Sequence, residues 1–158
     1  MRGRRDPAPA APLPQPDSLV TPDQISLVRS SWPMLEAKAD ALSTTFYAHL
    51  FAIDHGAARL FSHVDMEAQR VKLVQSLAVV VHALDDTDRL LPPLAALAKR
   101  HTRYGVELHH FHSVGEALIH ALNDTLGSAF TPELLRAWTE AYALVTSVMQ
   151  RALLRAAG

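Results

Sequence analysis

The 158-residue chain contains no cysteine, which excludes disulfides, thiol catalysis, thiolate zinc sites and iron–sulfur clusters. Long apolar runs are missing too. The longest, such as Leu77–Val81, has five residues, against the roughly 20 that a membrane span needs. No basic stretch followed by an apolar run opens the chain, so no secretory leader is legible and a cytoplasmic protein is expected. A surplus of either charge is also absent. Lys and Arg total 15 against 16 Asp and Glu, and Arg2, Arg4 and Arg5 belong to the first twenty residues. The slightly acidic remainder lacks the electrostatic footprint of a nucleic-acid partner. With only six glycines and 49% apolar residues, the composition is that of one globular domain, neither disordered nor fibrous.

Proline marks the one clear boundary. Residues 1–20, MRGRRDPAPAAPLPQPDSLV, hold five of the ten prolines. They read as a disordered, polyproline-like tail with too little apolar surface to offset its ordering entropy. Residues 21–158 form the domain. Thr21, Pro22 and Gln24 make a helix entrance: N-cap, first-position proline and reciprocal capping partner. From there the chain has helical period and no convincing strand. Helices are expected over 22–38, with Pro33 bending the chain or marking a join, and over 40–53, followed by a short turn through Ala57–Phe61. A long helix over 66–84 carries Gln69, Leu73, Leu77, Val80 and Leu84 on one face. DDTD (85–88) breaks it, and Pro92-Pro93 allows a new start that runs to about Arg103, stopped by Gly105. SVGE (113–116) reads as a second capping box, and TPEL (131–134) opens a final long helix. The fold class is all-α, with roughly seven helices.

Four of the nine histidines crowd into residues 94–112. His101 shares the apolar face of Leu94, Leu97 and Ala98, so it points inward. His109 and His110 fall in a connecting stretch and His112 just before Ser113, all three reading as solvated. A core histidine by itself is more often a packing residue than a ligand. Tyr47, Phe61, Gln69 and Leu73, on the inward faces of other helices, change those odds. An apolar cleft with one imidazole on one wall and two hydrogen-bond donors on the other suits an iron porphyrin carrying a small gas.

At these residues the chain resembles the globin family, and more narrowly the bacterial single-domain haemoglobins and the haem domain of flavohaemoglobins. TTFYAHLF, the Phe61 turn, the helix carrying Gln69 and Leu73, LAALAKRH, VGEAL and AWTEAY follow that group in order across about residues 21–155. The resemblance implies a globin fold around a haem pocket holding haem b, iron protoporphyrin IX. His101 would be the proximal iron ligand, Phe61 would pack on the porphyrin face, Tyr47 and Gln69 would be the distal donors, and Leu73 would shape the ligand space. The bound gases would be dioxygen and, beside it, nitric oxide and carbon monoxide. A phenolic hydroxyl or amide N–H favours dioxygen because it polarises more than carbon monoxide, at about 0.5–1.5 kcal/mol per net hydrogen bond. Lys99, Arg100 and Arg103 flank His101. They serve haem propionates or simply complement the helix dipole, and the sequence favours neither.

Two departures from the flavohaemoglobin pattern bear on chemistry. There the proximal histidine is supported by a tyrosine and a glutamate; the matching positions here are Phe111 and Leu153. Neither side chain accepts an imidazole N–H, so that proton is expected on a backbone carbonyl, which weakens the case for peroxidase-type activity. The chain also stops at Gly158, so a nitric oxide dioxygenase would need a separate reductase as partner. Reversible gas binding, for storage, delivery or scavenging, is the leading expectation. The reductase-coupled enzyme and a globin-fold sensor or interaction module using the Pro-rich tail are the alternatives. His49 points elsewhere on its helix, and His63 and His82 lie outside the expected distal pocket. Trp138, Tyr142, Val145 and Met149 read as a core stripe, with Tyr142 the member that could extend to the proximal side.

Overall fold

The computed structural model describes residues 20–103 and 108–157; within helices, the side chains of Thr87, Thr102, Arg103, Leu108, Leu153 and residues 155–157 fall outside that description. The expected tail, apart from Val20, and the Gly105 stop also lie outside the described residues. Seven α-helices are present among them: α1 Pro22–Ala37, α2 Ala39–Ile53, α3 His55–Leu60, α4 Met66–Ala83, α5 Thr87–Arg103, α6 Leu108–Leu126 and α7 Pro132–Ala157. No strand occurs there. No helix among these residues is long and apolar enough to cross a membrane.

The first helix starts as its sequence dictates. Thr21 Oγ1 accepts the Gln24 N–H at 3.1 Å, and Gln24 Oε1 accepts the Thr21 N–H at 3.0 Å. These satisfy donors that a helix N-terminus otherwise leaves orphaned. Pro33 makes no join: α1 continues through it to Ala37, with Pro33 on the exposed face. α6 ends at Leu126, followed by Gly127 at φ +55°, a left-handed conformation that glycine adopts without penalty, and a single 3-10 turn.

Three local expectations are corrected. The stretch expected to be a turn through Ala57–Phe61 is the short helix α3, started by Asp54, whose Oδ1 accepts the Ala57 N–H at 3.1 Å. The helix expected from Pro92-Pro93 begins at Thr87, because Asp86 Oδ1 accepts the N–H groups of Asp88 (3.1 Å) and Arg89 (3.3 Å). Both prolines lie inside it. The carbonyls they leave without an intrahelical donor belong to Asp88 and Arg89, which are exposed and open to water. Finally, SVGE caps nothing. α6 begins at Leu108, so His109, His110 and Ser113 are helical. Phe111, Val114, Leu118, Ala121 and Leu122 share one inward face, and burying it carries the helix back past Ser113.

α2 packs on α6 and α5 on α7; α1 reaches α7 and α4, and α4 touches both α2 and α5. The core threads through these contacts from Val28 and Leu35 through Leu42, Leu50 and Leu94 to Leu122 and Met149. The expected α7 stripe faces it: Trp138 and Met149 are buried, and Tyr142 and Val145 pack against the core. Tyr142 donates its hydroxyl proton to the Phe111 carbonyl, bracing α7 on α6. Burial pushes its pKa up to about 12, so it stays a donor at any ordinary pH.

Gly115 is required by that brace. A Cβ at residue 115 would stand 2.5 Å from Tyr142 Cε1. The ring is anchored at its far end and cannot swing aside. Gly115→Ala is therefore expected to lower the urea unfolding midpoint, because overpacking at about 1–3 kcal/mol outweighs the helical gain of about 1 kcal/mol. A raised midpoint would show the brace to be loose.

Candidate haem-binding site

Tyr47 sits on the inner face of α2, 6% exposed, within a shell of aromatic rings. Phe46 meets it edge-on at 4.9 Å between centroids, Phe61 at 5.5 Å and Phe51 at 5.8 Å, and Phe51 and Phe61 touch each other at 5.6 Å. Gln69, in the first turns of α4, donates its amide N–H to the Tyr47 hydroxyl oxygen at 3.1 Å. That bond uses a lone pair of the hydroxyl and leaves its O–H to donate. Burial raises the Tyr47 pKa, with the Gln69 bond opposing it more weakly, so the phenol keeps its proton. Leu73, one turn beyond Gln69 on α4, packs partly buried against the core.

His101 lies in the last turn of α5, half-buried, with Nδ1 2.6 Å from the Leu97 carbonyl one turn earlier. A carbonyl only accepts, so Nδ1 carries the proton and Nε2 presents a lone pair. Desolvation lowers the His101 pKa; the Leu97 bond raises it and the neighbouring Arg100 lowers it further. The ring is thus neutral at pH 7, the form that binds a metal. The carbonyl partner expected for a chain with Phe111 in place of the supporting tyrosine is the one observed. Phe111 itself is 7% exposed and offers its carbonyl to Tyr142. Leu153 lies outside the described side chains. Lys99 and Arg100 are exposed on α5, and Arg103 falls outside the described side chains.

The structure brings Tyr47, Gln69 and Phe61 into one cluster, with Leu73 a turn further along, and sets His101 and Arg100 on α5. α4 is the element that packs against both α2 and α5. Phe51 belongs to the cluster although the sequence reading passed over it. Its spacing of four from Tyr47 on an apolar helix was the available signal. His63 and His82 are exposed, and His49 turns away to pair with Asp124 at 2.8 Å. His110, expected in solvent, is 7% exposed.

The globin family model matches residues 44–149, which contain every one of these side chains. The chain belongs to the globin family. This globin is 30% identical over 144 residues to a flavohemoprotein of Bordetella parapertussis, covering 88% of the chain and 36% of that relative. It is 24% identical over 123 residues to a flavohemoprotein of Bacillus subtilis, covering 77% of the chain and 31% of the relative. The globin thus spans about a third of the length of the curated relatives it matches. Among solved structures it resembles a Rhodothermus marinus protein named as a nitric oxide dioxygenase and engineered as a carbene transferase. There the TM-score is 0.79 at 28% identity, covering 87% of this chain and 96% of that one. A bacterial globin from Campylobacter jejuni shares the fold, with a TM-score of 0.78 at 19% identity, covering 87% and 99%. Membership places the protein among haem-binding, gas-binding proteins.

The residues present fit a haem. An imidazole held in one tautomer with a free lone pair on its second nitrogen is the donor an iron porphyrin needs. An apolar cluster with a single oriented phenol supplies the opposite requirement, a dry wall with one donor.

Proposed function

We propose that this globin reversibly binds dioxygen, with nitric oxide and carbon monoxide as competing ligands, on a haem b held by His101. The haem supplies the iron at which a diatomic gas binds. His101 would hold that iron through Nε2, its ring fixed by the Leu97 carbonyl. Phe61 would pack on the porphyrin, Leu73 would limit the space for the gas, and Arg100 would offer its cation to a propionate. Tyr47 would donate its O–H to a polarised gas ligand, while Gln69 holds that hydroxyl by its oxygen. The domain over residues 21–158 would work in the cytoplasm.

The Gln69–Tyr47 hydrogen bond carries this reading, because it aims a protonated phenol instead of consuming its proton. A hydrogen bond to a partly charged acceptor contributes about 1.5–3 kcal/mol, roughly 10- to 100-fold in rate. Tyr47→Phe is therefore expected to speed dioxygen release at least about 10-fold and to alter carbon monoxide release much less. Flash photolysis measures both. Equal, small changes for the two gases would remove Tyr47 from the distal role.

The flavohemoprotein relatives and the Rhodothermus marinus neighbour favour a second reading, nitric oxide dioxygenation with electrons from a reductase. The same Tyr47 hydroxyl, held by Gln69, would serve it. Sustained nitric oxide consumption with a reductase and nicotinamide present supports this reading; one stoichiometric conversion followed by arrest supports gas binding alone.

A further inference from the structure

Where α2 ends and α3 begins, three side chains that the haem reading does not use converge. Asp54, His109 and His110 each offer a ligand atom, and all three atoms lie within 4.8 Å of one another. His109 Nε2 stands 3.9 Å from Asp54 Oδ2. The two imidazoles, adjacent on the first turn of α6, lie 4.0 Å apart between ring centroids. They are placed together although neighbours on a helix ordinarily diverge.

We propose that Asp54, His109 and His110 form a binding site for a divalent transition-metal ion of the zinc class. Two imidazole nitrogens and one carboxylate oxygen are a donor set that such ions accept, with water completing the coordination. Metal bonds of about 2.0–2.1 Å put tetrahedral ligand atoms about 3.4 Å apart. The His109–Asp54 pair is already close to that separation, and small side-chain rotations close the rest.

The surroundings are built around this cluster. The Asp54 side chain is only 13% exposed and is held from two sides: the Ser113 hydroxyl donates to Oδ2 at 2.8 Å and the Ala57 N–H to Oδ1 at 3.1 Å. A carboxylate has lone pairs to spare for a metal beyond those two bonds, and outer hydrogen bonds of this kind orient ligating carboxylates. Gly56 keeps the gap open. A Cβ there would press to 3.2 Å of Asp54 Oδ1 and would lie 4.0 Å from His110 Nε2, so that nitrogen faces the same space. His110 is 7% exposed, so a cation held there would tie the α2–α3 corner to α6.

The test uses the haem-loaded protein and Zn²⁺ in competition with a chromophoric zinc chelator. One ion per chain is expected at a site tighter than the remaining surface histidines. His109→Ala and Asp54→Asn are each expected to weaken it at least about 100-fold. His109 is largely exposed, so its truncation leaves the fold intact, and Asp54→Asn preserves the helix cap. His120 stacks on the His49 ring at 5.0 Å, beside the His49–Asp124 pair, and His120→Ala there should leave the tight site unchanged. Zn²⁺ should also raise the thermal midpoint of the wild type and not of His109→Ala. Absence of a one-equivalent site, survival of tight binding in His109→Ala, or its loss in His120→Ala would each overturn the proposal.

Discussion

His101→Ala is expected to abolish haem retention. Purified after expression with ample haem, the variant should show little Soret absorbance per chain while the wild type approaches one haem. The expectation rests on a single geometric fact: Nδ1 is committed to the Leu97 carbonyl at 2.6 Å, which leaves Nε2 as the donor atom. Removing the ring removes that donor without disturbing a network, since the Leu97 carbonyl remains in its helix. Exogenous imidazole should restore a Soret band by filling the space with the deleted group. Recovery distinguishes loss of a ligand from loss of the fold, because a collapsed pocket would not respond. A variant that keeps haem with an unchanged spectrum would move the iron ligand to another residue.

The second large effect falls on stability. Trp138→Ala is expected to cost about 3–5 kcal/mol, the usual penalty for emptying a large aromatic site in a core. Trp138 is 3% exposed, and its indole N–H donates to Ser31 Oγ at 3.0 Å, while that hydroxyl donates onward to the Val28 carbonyl at 2.8 Å. The residue therefore both fills volume and closes a buried chain of hydrogen bonds between α7 and α1. Truncation leaves a cavity and an acceptor without its donor. Urea denaturation followed by circular dichroism measures the loss. Trp138→Phe, which keeps most of the volume but not the N–H, should fall between the two. A cost below about 1 kcal/mol for the alanine variant would mean that α7 repacks freely on α1.

The features legible in the sequence were those whose causes are local. The Thr21–Gln24 capping box lies within one turn, so reading it needed no tertiary information, and it formed as written. The same holds for the α4 stripe and for the inward aim of His101, both of which follow from helical period. Where the reading failed, either a remote partner or a cap it had passed over decided the outcome. Ser113 has the composition of an N-cap. Its hydroxyl instead finds Asp54, distant in sequence, and the helix runs straight through it. Pro92-Pro93 has the composition of a helix start, yet the Asp86 cap begins α5 earlier and solvent accommodates the missing donors. His110 looked solvated because it was assigned to a loop. Once α6 reaches back to Leu108, the histidine turns into the corner beside Asp54.

By itself, then, the sequence determined the helical class, the residues that cap α1, the inward-facing histidine and the family, because each depends on spacing within a few turns or on order along the chain. Only the tertiary structure decided which hydrogen bonds those residues make. It set Gln69 against the Tyr47 hydroxyl, ran Tyr142 to the Phe111 carbonyl and gathered Asp54, His109, His110 and Ser113 at one corner. The physical reason is that a polar side chain in a partly buried place takes the partner that packing brings within about 3 Å. Helix packing, unlike helical period, is a property of the whole chain.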